Sequence, residues 1–335
     1  MARTSLLVIS DTHGETLKPK DSEYAFRKSP PPVDVVLHCG DLTMSGLENQ
    51  HRRTIELMKS LKADLKLVIA GNHDASLDPD YWAHARGLNT SNTTPETVRQ
   101  MWEDAKFSGI YYLPEGHHTF TIPRTGARLS IYASPYTPEF CGMAFAYERS
   151  HDRFSLQEDC REGVRSISEH PIPDFPSVDV VMTHGPPWMA RDWVVSGERV
   201  GCRNLLNAVA RVRPKLCCFG HIHEGWGVEK VTWPEEKDPS EERVADAVKS
   251  TEQFYFEEEE AISKRCVEVD VSGAGPGGDT SGDESKSKSD TLKFGKQTLM
   301  VNAAIMTVSY RPKNAPILVH LDLPLPEPES MDWTP

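Results

Sequence analysis

Short apolar runs that stop at glycine or polar clusters recur along the chain, at residues 6–10, 33–38, 65–70, 129–133, 178–183 and 216–219. Runs of this length, rich in Val, Ile and Leu and bounded by turn formers, predict buried strands. Between the early runs the apolar period lengthens. Leu47, Ile55, Met58 and Leu61 predict a helix over 47–62, and Thr94-Pro95-Glu96 reads as the capped start of a second over 94–104. Strands alternating with helices predict a layered α/β fold.

From about 234 to 297 the pattern breaks. The tetrad Glu257, Glu258, Glu259 and Glu260 and the Gly/Ser-rich run from Ser272 carry too little apolar surface to offset the entropy of ordering. This stretch is expected to be a low-complexity acidic insertion with one helix near 241–250. Strand-like alternation resumes over 298–310 and 316–323, joined by the turn Arg311-Pro-Lys-Asn-Ala. The expectation is a single domain over 1–335, interrupted by the insertion and ending in a Pro-rich tail at about 324–335. Gly273, Gly275 and Gly278 match G-x-G-x-x-G, but Pro276 lies inside the match and no helix signal follows, so a linker is the better reading.

At 38% hydrophobic and 26% charged residues, the composition is that of a water-soluble globular chain. No apolar run reaches the roughly 20 residues of a membrane span, and the first apolar stretch meets Asp11 where a signal cleavage site would fall. The seven cysteines show no framework spacing, which predicts reduced thiols and an intracellular, cytoplasmic protein. Sequons at Asn89 and Asn92 then read as chance matches. Net charge is −13, against duplex nucleic acid as a partner. Residues 235–290 alone hold 17 acids and 7 bases, so the rest of the chain is close to neutral.

Five clusters that follow strand-like runs carry the chemistry: Ser10-Asp11-Thr12-His13-Gly14, His38-Cys39-Gly40-Asp41, Gly71-Asn72-His73-Asp74, Thr183-His184-Gly185-Pro186-Pro187 and Gly220-His221-Ile222-His223. Asp11 and His13, like His221 and His223, are two apart, so extended backbone would turn both side chains of each pair one way. Singly, each cluster reads as an ordinary turn. Together, five strand ends delivering Asp, Asn or His point to one crevice at the carboxyl ends of a sheet. Carboxylate, imidazole and amide donors suit two divalent ions, Mn²⁺ first, with Fe, Zn²⁺ or Mg²⁺ also compatible. A central carboxylate can bridge ions about 3.5–4 Å apart, a pair that activates water for in-line attack on phosphorus.

The series Asp-x-His, Gly-Asp, Gly-Asn-His-Asp, His and Gly-His-x-His resembles the calcineurin-like metallophosphoesterase superfamily. His38-Cys-Gly-Asp-Leu-Thr, Arg199-Val-Gly-Cys-Arg-Asn-Leu-Leu, Phe219-Gly-His-Ile-His-Glu-Gly-Trp-Gly and Tyr310-Arg-Pro-Lys-Asn-Ala-Pro-Ile look like its metallophosphoesterase-domain-containing branch. The resemblance implies a four-layer αββα sandwich of two mixed β-sheets flanked by helices. It implies one metal on Asp11, His13, Asp41 and His223, and a second on Asp41, Asn72, His184 and His221. His73 would contact the phosphate or protonate the leaving oxygen, with Asp74 fixing its ring. Relatives with glycine in place of His221 lose activity; here the histidine is present.

Other residues carry blander expectations. His38 reads as an internal hydrogen-bonding residue, and His117 and His118 as a surface loop. Trp188, Trp193 and Trp226 read as core or rim packing, with stacking on a nucleobase the sharper alternative. Arg191 and Arg199 are open between pairing with a phosphate and pairing with the acidic surface. The expected activity is a phosphodiesterase acting on small phosphodiesters such as cyclic nucleotides. The alternatives are a phosphomonoester or phosphoprotein phosphatase and a low-turnover nucleotide-binding scaffold of the same fold.

Overall fold

The computed structural model describes residues 1–85, 93–234, 248–273 and 291–326. Its first half runs β1 (Ala2–Ile9), β2 (Val35–His38), α1 (Glu48–Ser60), β3 (Leu65–Val68), α2 (Pro79–Ala85), α3 (Pro95–Ala105), β4 (Ile110–Tyr112), β5 (Gly116–Thr121) and β6 (Arg128–Ser134). Two-residue strands follow, β7 (Thr137–Pro138) pairing with β8 (Ala146–Tyr147) and β9 (His151–Asp152) with β10 (Arg165–Ser166). Then come β11 (Val180–Thr183), α4 (Arg203–Val212), β12 (Leu216–Phe219) and β13 (Gly227–Thr232). The last elements are β14 (Ser250–Gln253), α5 (Glu258–Lys264), β15 (Val267–Asp270), β16 (Gln297–Asn302) and β17 (Ile317–Leu323).

The strands form two mixed sheets, in the orders β15-β17-β1-β2-β3-β4 and β14-β13-β16-β12-β11-β6-β5. Residue alternation divides the core into three layers. Leu6, Val8, Val35 and Leu37 point inward and meet Ile131, Val180, Met182 and Cys218 of the other sheet. Their neighbours Leu7, Ile9, Val36 and Val68 point outward under Ile55 and Met58 of α1 and Val98 and Trp102 of α3. On the far side Val181, Cys217 and Phe219 lie under Leu205, Leu206 and Val209 of α4. The result is the αββα sandwich. Each buried Leu, Ile, Val or Phe contributes roughly 1.5–3 kcal/mol of transfer free energy.

Caps act where the sequence placed them: Thr94 Oγ1 accepts from the Thr97 N–H at 3.1 Å, and Pro95 sits in the first turn of α3. The strand expected over 298–310 stops at Asn302; beyond it the chain leaves the sheet in a loop.

The low-complexity reading of 234–297 needs correction for 248–273. Val267 and Val269 of β15, and Val271 just beyond it, are buried in the core, and β15 pairs in parallel with β17. The Glu tetrad opens α5, with Glu258, Glu259 and Glu260 in its first turn, where negative charge suits the helix dipole. Ser250, placed at the end of the expected 241–250 helix, begins a strand antiparallel to β13. Residues 241–247, the sequons at Asn89 and Asn92, the glycines Gly275 and Gly278, and residues 327–335 of the tail lie outside the described residues. Among the described residues no helix is long and apolar enough to cross a membrane.

Strands β1, β2, β3 and β4 run parallel, as do β6, β11, β12 and β16 in the other sheet. A parallel bridge between Ser10 and Ala304 ties the end of β1 to the end of β16. The carboxyl edges of both sheets are thereby brought together.

Candidate metal centre

Each candidate ligand leaves the chain just past a strand end. Asp11 and His13 follow β1, Asp41 follows β2, Asn72 follows β3, His184 follows β11, and His221 and His223 follow β12. The structure brings all seven together with His73. Donor atoms lie within 4.8 Å of one another in the groups Asp11–His13–His223, Asp11–Asp41–His184 and His13–Asp41–His73. Asn72 Oδ1 is 2.9 Å from His184 Nε2, and the rings of His184 and His221 are 5.1 Å apart.

Extended backbone does not produce this convergence. Asp11, His13, Asp41 and His221 all have positive φ, at 54°, 48°, 52° and 65°, and His223 opens a short 3₁₀ turn. Left-handed non-glycine residues are costly and cluster where function over-determines the backbone. Here sharp turns, cross-braced by Asp11 N–H to the Gly40 carbonyl and His13 N–H to the Asp41 carbonyl, aim the side chains. Close approach also demands glycine. A Cβ on Gly71 would stand 2.4 Å from Asp41 Oδ1, and one on Gly220 2.0 Å from Asp11 Oδ2.

The imidazoles are oriented through their Nδ1 atoms. His13, His184 and His223 each set Nδ1 against a backbone carbonyl, of Thr43 at 3.2 Å, Cys39 at 2.9 Å and Thr307 at 3.2 Å. A carbonyl only accepts, so Nδ1 carries the proton and Nε2 is left as a ligand nitrogen. Two consequences show that the cavity fits cations. Nε2 of His13 faces Nε2 of His223 at 3.5 Å, and Nε2 of His184 faces Asn72 Oδ1 at 2.9 Å and Asp41 Oδ1 at 3.4 Å. These are acceptors facing acceptors, an arrangement that needs a proton or a cation between them.

The titration behaviour of the metal-free site agrees. Burial alone would raise the Asp11 and Asp41 carboxyls, yet His223 beside Asp11 and His184 beside Asp41 hold both below the ordinary carboxylate range. Burial opposes charge on His184, but the Asp41 carboxylate outweighs it and lifts the imidazole to about 9. His223 is raised against burial by Asp11. Burial pushes His221 down to about 4 and also lowers His13.

Asp74 does not fix the His73 ring. Its carboxylate accepts from the N–H groups of Leu42, Thr43 and Gly71 and from the Thr43 hydroxyl, pinning the Asp41 turn to the Asn72 turn. His73 instead sets Nδ1 against the Met44 carbonyl at 2.7 Å. His38 hydrogen-bonds Thr12 Oγ1 at 2.8 Å inside the protein. His117 and His118 lie on strand β5, not on a loop.

Arg199 pairs with Asp192, and Arg191 donates to the Val228 carbonyl beside Glu229. Trp188 stacks under Arg203, Trp193 packs near Arg191 and Arg199, and Trp226 donates to the Ala315 carbonyl. A cleft of about 460 Å³ opens onto Asp41, Asn72, His73, His221 and His223. None of the three tryptophans lines it; Phe140, Arg149 and Tyr310 do, and none of these was expected at the site from the sequence. The Tyr310 ring packs against His13 and His223 at 5.1 and 5.3 Å.

Buried carboxylates between oriented imidazoles, open to a cleft, make a set of donors that could hold metal ions. The calcineurin-like phosphoesterase model matches residues 4–225, and the chain belongs to that family, in its metallophosphoesterase-domain-containing branch. It is 34% identical over 233 residues to metallophosphoesterase domain-containing protein 1 of Homo sapiens and of Mus musculus, an alignment covering 67% of this chain. The chain spans 62% of the length of those relatives. It is also 32% identical over 234 residues to a probable rhamnogalacturonate lyase C of Emericella nidulans, covering 68% of this chain and 18% of that one. Among solved structures, a phosphopantetheinyl hydrolase of Mycobacterium tuberculosis aligns with a TM-score of 0.38 and 16% identity, over 69% of this chain and 86% of that one.

Proposed function

We propose that the chain hydrolyses small phosphodiesters, cyclic nucleotides among them, with two divalent ions, Mn²⁺ foremost. The observation that carries this reading is the attitude of Asp41. One carboxylate oxygen lies 3.9 Å from His13 Nε2 and the other 3.4 Å from His184 Nε2, so a single carboxylate faces both groups of donors. Asp11, His13, Asp41 and His223 would hold one ion, and Asp41, Asn72, His184 and His221 the other. When bound, the pair supplies Lewis acidity toward the phosphoryl oxygens and a water of lowered pKa.

The remaining work falls to the chain. The His73 N–H donates to Asp41 Oδ1 at 2.9 Å, which fixes the carboxylate between its two sets of partners. With Nδ1 on the Met44 carbonyl, His73 keeps Nε2 for the cleft, where as imidazolium it donates to a phosphoryl or leaving oxygen. Near-complete burial of Asp11, Asp41 and His184 excludes bulk water from the ligands and strengthens their electrostatics. Diesters are favoured over monoesters because Arg149 is the one Lys or Arg lining the cleft among the described residues, short of what a phosphate with two charges asks.

The test is a phosphoester panel on protein of measured metal content: bis(p-nitrophenyl) phosphate, 2′,3′- and 3′,5′-cyclic nucleotides, and p-nitrophenyl phosphate. Metal-stimulated turnover of the diesters is expected. A monoester rate well above the diester rates moves the assignment to a phosphatase. Inactivity of the Mn²⁺-loaded protein on all of them overturns the reading.

A further inference from the structure

The wall of the cleft is apolar where it faces solvent. Phe140 is 60% exposed, Val308 56% and Tyr310 47%, and all three line the same cavity as Asp41, Asn72 and His73. Large apolar side chains left open around a polar centre are unusual, and such surface marks contact with a ligand. Tyr310 is moreover held rigidly. Its backbone sits at φ 54°, and its N–H donates to the Thr307 carbonyl at 2.8 Å. That carbonyl also receives His223 Nδ1. The turn that orients a ligand histidine therefore also fixes the tyrosine ring against His13 and His223.

The charge lining the cleft is as restricted as its shape. Arg149 Nη1 donates to the carbonyls of Val200 and Gly201, both at 3.0 Å, which anchors its guanidinium on the wall. An acidic phosphopeptide would meet little else of opposite sign. A flat apolar group, by contrast, would cover the exposed faces of Phe140 and Tyr310 while its phosphate sits at the ligand cluster.

Resting on the phosphoester reading above, we propose that Phe140 and Tyr310 form a specificity subsite that takes an aromatic ring esterified to the phosphate. The ring is on the ester group that stays on the phosphate while the other ester oxygen leaves, and stacking favours aryl esters over small alkyl esters such as methyl. Aromatic stacking of this kind is worth about tenfold or more in affinity per ring.

The experiment compares bis(p-nitrophenyl) phosphate with methyl p-nitrophenyl phosphate, which share a leaving group and differ only in the group left behind. A parallel calorimetric titration of the metal-loaded protein compares phenylphosphonate with methylphosphonate, so that one readout needs no turnover. The wild type is expected to favour the aryl member of each pair by about tenfold, expressed in KM and dissociation constant. Tyr310→Ala and Phe140→Ala should each erode that ratio, whereas Tyr310→Phe, which keeps the ring, should preserve it. Equal aryl and alkyl values in the wild type overturn the subsite, as do ratios unchanged in both alanine variants. If neither ester turns over, nor any other member of the phosphoester panel, the phosphoester reading fails, while the phosphonate ratio still decides the subsite.

Discussion

Gly220 lies so close to Asp11 that a Cβ on it would stand 2.0 Å from the Asp11 carboxylate and 2.1 Å from Ser10 Oγ. The next residue's N–H, of His221, donates to the same carboxylate at 3.0 Å. The end of β12 is thus clamped to the end of β1, which belongs to the other sheet. Gly220→Ala must push the two apart. We expect a loss of roughly 1–3 kcal/mol in stability, the usual penalty for overpacking, together with sub-stoichiometric metal. Thermal denaturation and elemental analysis check both, and an alanine variant with full metal content would contradict the clamp.

His184 is lifted to about 9 in the metal-free protein by Asp41, so at pH 7 it carries a proton. A ligand nitrogen must be neutral, so metal loading expels that proton. The sign follows: affinity rises with pH up to about 9 and levels off above it. Burial keeps His221 near 4, already neutral, so it adds nothing to this dependence above pH 5. Calorimetry at pH 7 in buffers of different ionisation enthalpy should detect proton release on loading. His184→Asn should remove the His184 part of the release. Metal binding to the wild type without any proton release would contradict the assignment.

Strands were legible wherever period and turn chemistry agreed. Leu216–Phe219 is apolar throughout, one face buried against the other sheet and the other under α4, so its limits follow from composition alone. The candidate ligands could be picked out because Asp, His and Asn recur after such strands. Left-handed turns could not, since nothing in Asp-x-His distinguishes extended from positive-φ backbone. Asp74 was misread for a related reason: adjacency to His73 concealed a carboxylate that accepts three donors from the Asp41 turn and one from Gly71. The α4 helix carries apolar residues at 205, 206, 209 and 212, a helical period that could have been found. Strand β15 was hidden by its acidic setting, although Val267 and Val269 alternate with acids. Tyr310 stood in a motif of the branch, but its place in the cleft was not legible, because it depends on a turn held by Thr307.

Glu229, on β13, is almost fully buried 3.8 Å from Arg191, and burial raises its carboxyl to about 7 despite that guanidinium. In the unfolded chain it titrates near 4.5. Between these values the folded state holds a proton that the unfolded state has lost, so the Glu229 contribution to stability is fully present below about 4.5. It declines as pH rises toward 7. Glu229→Gln cannot ionise, and relative to wild type it should gain on the order of 2 kcal/mol between pH 4.5 and pH 8. Urea denaturation of both proteins at the two pH values measures the difference. A pH-independent offset between them would show that the carboxyl is ionised throughout.

Adjacent in sequence, His73 and Asp74 should fail in different ways. Asp74 accepts from Gly71 N–H, Leu42 N–H, Thr43 N–H and Thr43 Oγ1 at 2.8, 3.0, 2.8 and 2.6 Å. An asparagine keeps one acceptor oxygen and turns its amide donors toward N–H groups, leaving buried donors unpaired. Asp74→Asn should therefore cost roughly 2–3 kcal/mol, and because those donors belong to the turns bearing Asp41 and Asn72, metal should be lost with it. His73→Ala leaves that scaffold untouched, since the bond to Asp41 comes from the backbone N–H. The alanine variant should keep its metal and its melting temperature while turnover falls about 10²–10⁴-fold, the range for removing a general acid. Paired measurements of melting temperature, metal content and kcat separate the two roles. If Asp74→Asn instead keeps its stability and metal and only displaces the pH–rate profile, Asp74 acts through the His73 ring after all, and the turn-pinning assignment fails.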